Sequence, residues 1–237
     1  MNRVSRFVDI RLPKEKLKND SDVVDNMESS RAMGMESSRA TGRYLVYIHP
    51  DGRNVVKSDS KQLTDVGIDE NVLRVFRRLA MQHEEWDGCS TVEITGFTHA
   101  NVVGNDGEWI SYNAHPCFHG APWYDWAHVH YAVEEADGSI EHQYYPSKIL
   151  GFLKTSNGIK AIIQYSIEEV KWEQLENDFV VPFHLCMERD KEDIVPLSSL
   201  SNPICVIPDY GNVDEDNKYM MILPKGHWSG VFTRFIG

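Results

Sequence analysis

Few cysteines, no long apolar run and a deficit of positive charge mark this chain of 237 residues, and each shortage excludes something. The four cysteines, Cys89, Cys117, Cys186 and Cys205, lie far apart, with no Cys-x-x-Cys among them. That is too sparse for a disulfide framework and reads as reduced thiols in an intracellular protein. No stretch approaches the roughly 18 apolar residues of a membrane-spanning helix. The opening MNRVSRFVDIRLPKEKLK lacks the apolar core of a secretory signal. The expectation is therefore a protein with no membrane partner. A phosphate loop, Gly-x-Ser-x-Gly, a dinucleotide fingerprint and His-Glu-x-x-His are also missing. Carboxylates are plentiful but are not paired within apolar sequence, as a tuned acid–base pair would be.

The charge deficit is uneven. Residues 1–60 carry eleven basic and nine acidic side chains, whereas residues 61–237 carry thirteen and twenty-seven, out of a total of −12. A region so acidic repels phosphate backbones, which argues against strong nucleic-acid binding. What is present is ordinary globular composition, 41% apolar and 25% charged, enough to bury a core.

Three segments follow from the pattern. Residues 1–43 are polar and contain a duplication, Met27-Glu-Ser-Ser-Arg-Ala-Met-Gly34 followed by Met35-Glu-Ser-Ser-Arg-Ala-Thr-Gly42. Such a segment buries too little to offset its ordering entropy and is expected to be a disordered head. Residues 44–90 read as an α/β lead-in. Tyr44–Ile48 is a strand, Asp51-Gly52 a tight turn, and Glu70–Trp86 a helix. Its apolar residues Val72, Val75, Phe76 and Leu79 are helically spaced, and Asp69 is the N-cap. From residue 91 the period changes to two, and Pro and Gly punctuate short apolar runs about every ten residues. The fold class expected is mainly β, α+β overall, with residues 91–237 forming an SH3- or BAH-like β-barrel.

Chemistry concentrates in residues 113–131, NAHPCFHGAPWYDWAHVHY. One reading is a metal site using His115, Cys117 and His119, with His128 and His130 sharing a strand face. The spacing matches no common zinc motif, and the face opposite Ala127, Val129 and Tyr131 is expected to point to solvent. A second reading is a metal-dependent endonuclease of the His-hydrophobe-His type, in which His128 and His130 hold the metal and Tyr145 attacks phosphate. Pro146 sits badly for a tyrosine on a helix. A third is an aromatic cage drawn from Trp123, Tyr124, Trp126, Tyr131, Tyr144 and Tyr145, with Asp125 adding charge. Such cages bind alkylated ammonium groups. The bland alternative is that these rings are core, since tryptophan is mostly buried.

His115-Pro-x-Phe118-x-Gly120-x-Pro-Trp-Tyr-Asp-Trp126-x-x-Val129 is followed by Tyr145-Pro-x-Lys-Ile149, Ile194-Val-Pro-Leu-x-Ser-Leu200, Cys205-Val-Ile-Pro-Asp209 and Leu223-Pro-Lys-x-x-Trp228. Together these resemble an uncharacterised family of transposable-element-related proteins, whose module often lies downstream of a CACTA-like transposase core. The resemblance covers about residues 91–232. It carries no catalytic residue, and this stretch leaves no room for the acidic triad of a transposase. More loosely, the Tyr145–Ile149 strand is similar to BAH or Tudor reader barrels, with Ser147 at the small inward position. The resemblance implies a non-enzymatic binding module of transposon-derived origin. Its partner would be a protein or peptide, a histone tail being one form, and its place the nucleus ahead of the cytoplasm. No cofactor and no metal ligand are assigned. The ligand site expected is Trp123, Tyr124, Asp125, Trp126 and Tyr145. The endonuclease and a non-functional element fragment are the alternatives.

Overall fold

The structure is a computed structural model that describes residues 38–51, 53–60, 63, 65, 67–82, 91–103, 107–134, 138–169, 180–189, 191–209 and 217–222. These belong to one compact unit, Ser38–Gly237. The protein is mainly β, with 67% of the described residues in strand and 12% in helix. The strands are β1 (Ser38–Ile48), β2 (Asn54–Ser58), β3 (Val92–Val103), β4 (Trp109–Phe118), β5 (Ala121–Tyr124) and β6 (Trp126–Glu134). They continue as β7 (Ile140–Thr155), β8 (Gly158–Tyr165), β9 (Val180–His184), β10 (Asp193–Pro196), β11 (Leu200–Pro208) and β12 (Lys218–Ile222). The one long helix among the described residues is α1 (Glu70–Gln82).

All pairings are antiparallel. The main path runs β2-β1-β3-β7-β6-β11-β12-β9, while β4 and β5 branch from β3, and β8 and β10 from β7. Among the described residues no pairing joins β2 to β9, so the antiparallel sheet is branched and not closed. Strand β7, sixteen residues long, ties the branches together. Its first half pairs with β6, its second half with β8, and Phe152 and Leu153 also pair with β3. A register shift between Ile149 and Gly151 lets the strand bend from one set of partners to the next.

Two expected boundaries move. Strand β1 runs back to Ser38, so Ser38–Thr41 of the second duplicated octapeptide are paired with β3 rather than loose. The first copy lies outside the described residues, as does the rest of the head. The division expected at residue 91 falls inside one sheet, because β1 pairs with β3 from Ile48↔Val92 to Ser38↔Val102. Gly96 makes that pairing possible. Its partner Tyr44 lays its ring across it, and a Cβ at position 96 would come within 2.4 Å of that ring. Covering a strand glycine with an aromatic ring restores the buried area that glycine lacks.

Helix α1 begins as its sequence dictates. The Asn71 amide donates to Asp69 Oδ1 at 2.8 Å, which satisfies one orphan N–H of the first turn. Val72, Leu73, Val75, Phe76 and Ala80 form its buried face. They pack on Tyr44, Val46 and Ile48 of β1 and on Leu150, Leu153 and Ile162 of β7 and β8. A second core lies around Ala100, Tyr112, Ala127, Val129, Ile149, Phe152 and Ile163. A small third one gathers Val181, Phe183 and Met221 with Trp126, Tyr144 and Tyr219.

Candidate functional site

The chemistry-rich stretch folds as the β4–β5 hairpin and then enters β6. His119 (φ 51°) and Gly120 (φ 87°) close the hairpin. Two successive positive φ angles give a turn whose twist matches the strands, and histidine there is uncommon. Strand alternation then divides the side chains. Tyr124, opposite Ala114, packs inward on the second core. Trp123, opposite His115, faces out and is 44% exposed. Its ring meets Phe118, itself 41% exposed, edge-on at 4.7 Å. His119 stacks edge-on to Phe118 from the turn at 4.4 Å, and His115 lies 6.1 Å from the same ring.

A polar chain holds this tip. Asp125 Oδ2 accepts from the Asn113 amide at 2.6 Å and from Asn113 Nδ2 at 3.0 Å, while Oδ1 accepts from Trp123 Nε1 at 3.0 Å. Asn113 Oδ1 in turn meets His99 Nδ1 at 2.9 Å. The Asp125 backbone also bridges β4 and β7, its N–H donating to Asn113 O and its carbonyl accepting from Ile149 N, both at 2.9 Å. Asp125 therefore positions Trp123.

The five expected site residues do not form one site. Tyr124 is tied to the helix N-cap, its hydroxyl donating to Asp69 Oδ2 at 3.3 Å, with Lys148 Nζ 4.8 Å above its ring. Burial, then the Asp69 charge, pushes its phenol well above the usual tyrosine range. Trp126 packs on Phe183 and Tyr219 in the third core. Tyr145 lies on the opposite face of the β6–β7 pair from Trp126. Residues directly opposite share a face, and Tyr145 opposes Val129 whereas Trp126 opposes Lys148. On Tyr145's face its ring meets Tyr131 at 5.7 Å, and the Tyr131 hydroxyl donates to Asp193 Oδ2 at 3.0 Å. Trp123 and Asp125 stay together; Tyr124, Trp126 and Tyr145 each go elsewhere. Phe118, not chosen on sequence grounds, completes the exposed cluster with His115 and His119, which the sequence offered as metal ligands instead. The signal was there in His-Gly, a turn dipeptide two residues before Pro122 and Trp123.

The histidines of β6 also differ from expectation. His128 and His130 do share a face, but His128 is only 1% exposed. The third core covers that face beside it, where Trp126 and Tyr144 pack. Burial pushes its imidazole down to about 4. Because Tyr145 faces the other way, His128, His130 and Tyr145 do not converge on a common metal. His115 Nδ1 accepts from the Cys117 amide at 3.0 Å. Among the described residues no three of His, Cys, Asp or Glu gather as a metal-holding group. Nor, among them, is any helix long and apolar enough to cross a membrane.

Comparison with family models, with curated proteins and with solved structures finds no match to this chain.

Proposed function

We propose that the protein is a non-enzymatic binding module that takes an extended, basic protein segment at the β4–β5 hairpin. The observation that carries this reading is the exposed Phe118–Trp123 pair, on the two strands that flank the His119-Gly120 turn. Among the described residues β5 pairs only with β4, so its outer edge offers backbone donors and acceptors to an added strand. Rigid aromatic side chains are the usual anchors of such interfaces. The net charge of −12 favours a lysine- and arginine-rich partner, of which a histone tail is one form. Exposed rings of this chain already receive cations, Arg39 lying 5.1 Å over Trp109 and Lys57 4.8 Å over Tyr47. A reader role of the BAH or SH3 kind, a transposon-derived origin and a nuclear setting belong to the same reading. They rest on the sequence resemblance, with the mainly β, antiparallel fold as support.

The test is titration of the full chain with synthetic histone-tail peptides, unmodified and lysine-methylated, followed by Trp fluorescence. Binding that weakens at least ten-fold in Trp123→Ala and in Phe118→Ala, with unchanged circular dichroism, is the expected result. Binding equally strong in both variants, or none to any peptide, overturns it.

A further inference from the structure

We propose that His130 and His142 form a two-imidazole site for a divalent transition metal that takes tetragonal coordination, Cu2+ above all. The two residues are diagonal neighbours across β6 and β7, His130 opposing Tyr144 and His142 opposing Ala132. His130 Nε2 and His142 Nδ1 point at one another 2.7 Å apart. Two neutral imidazoles can share that contact only if one nitrogen carries the proton and the other offers its lone pair. When the proton moves to the distal nitrogen of its own ring, both facing nitrogens offer lone pairs, and a small turn of the exposed His142 ring directs them to one ion. That tautomeric exchange releases no net proton.

Ligand chemistry selects the metal, since Cu2+ heads the affinity order of divalent ions for a given nitrogen site. Imidazole nitrogens lie about 2.0–2.1 Å from a bound divalent ion, so the 2.7 Å of the hydrogen bond widens as the ion enters. Right-angled nitrogen and oxygen ligation belongs to Cu2+ and Ni2+, whereas Zn2+ prefers the tetrahedron. Water completes the coordination, since His142 is exposed.

The scaffold holds the pair ready. Tyr144, directly opposite His130 in the register, stacks on its ring at 5.1 Å and 18°. The His130 and His142 rings lie 4.7 Å apart. The site is independent of the hairpin tip and needs no peptide.

The experiment titrates the full chain, without an affinity tag, with Cu2+ and separately with Zn2+, and records the copper spectrum by electron paramagnetic resonance. One saturable Cu2+ site with two nitrogen ligands is expected, at least ten-fold tighter than for Zn2+. His142→Thr, which keeps a strand-forming residue at an exposed position, and His130→Gln should each weaken copper at least ten-fold. The double variant His115→Ala/His119→Ala should leave it unchanged. Undiminished copper affinity in His142→Thr, the absence of a saturable site, or tighter Zn2+ than Cu2+ would overturn the proposal.

Discussion

Trp123 and Trp126 stand three residues apart in one aromatic run, yet they belong to two regions with opposite physical characters. Trp123 lies on β5 with its ring half in water, its indole N–H held by Asp125 and its neighbours Phe118 and His119 equally outward. Trp126 opens β6 and meets Phe183 at 5.8 Å and Tyr219 at 5.0 Å. The β4–β5 tip displays apolar rings that do nothing for the core. The Trp126 end of the β6–β7 pair is covered on both faces, by the second core on one side and the third on the other, while the His142 end meets water. Aromatic density in a sequence therefore marks two different investments, and only the face each ring occupies tells them apart.

The largest expected effect lies in the covered region and is set by acid. His128 is buried with its imidazole pushed down to about 4. An unfolded histidine titrates near 6.5. Between those values the unfolded chain binds a proton that the folded chain refuses, so stability falls as pH drops from about 6.5 to about 4. Its share of the loss is on the order of 3 kcal/mol at most. Urea unfolding at pH 7 and pH 4.5 should show a steeper fall for the natural chain than for His128→Gln. Equal falls would remove His128 from the covered face.

Next comes Trp126→Ala, which should destabilise the fold by about 2 kcal/mol, less than a fully buried tryptophan because its site is only partly enclosed. Thermal unfolding reads this directly. Its counterpart, Trp123→Ala, should change stability by no more than about 0.5 kcal/mol while removing peptide binding. If both variants melt alike, the division into tip and core is wrong. The smallest effect is His119→Gly, which relieves a positive φ on a non-glycine residue. Stability should stay within about 0.5 kcal/mol, but peptide affinity should fall because Phe118 loses the ring beside it.

Much of this was readable from residue order. Asp69 as N-cap and the spacing of Val72, Val75 and Phe76 define α1, and alternation marks the start of β3 and the run of β6. Strand β7 was legible only in its second half. Glu141-His142-Gln143 is polar, and Pro146 and Gly151 are residues that normally interrupt a strand. Pro146 is tolerated because its carbonyl still accepts from Ser166 N at 2.8 Å. Residues 38–42 were hidden by their polarity and by their likeness to the preceding copy. What a β-strand needs there is a partner, and β3 supplies it. The cage was overdrawn because the turn at His119-Gly120 and the bridging Asp125 determine which rings share a face. Neither parity can be counted along the chain until the pairing is known.

The shared edge between β1 and β3 bears on how this protein could be trimmed. A chain cut to begin at residue 91 looks natural on composition, yet it would strip β3 of ten paired residues and leave Leu150, Leu153 and Ile162 facing water where α1 and β1 had covered them. Such a fragment would present a long unprotected strand beside a fresh apolar surface, the combination that drives chains into aggregates. The segment ahead of residue 91 thus acts as a built-in solubility shield for everything after it.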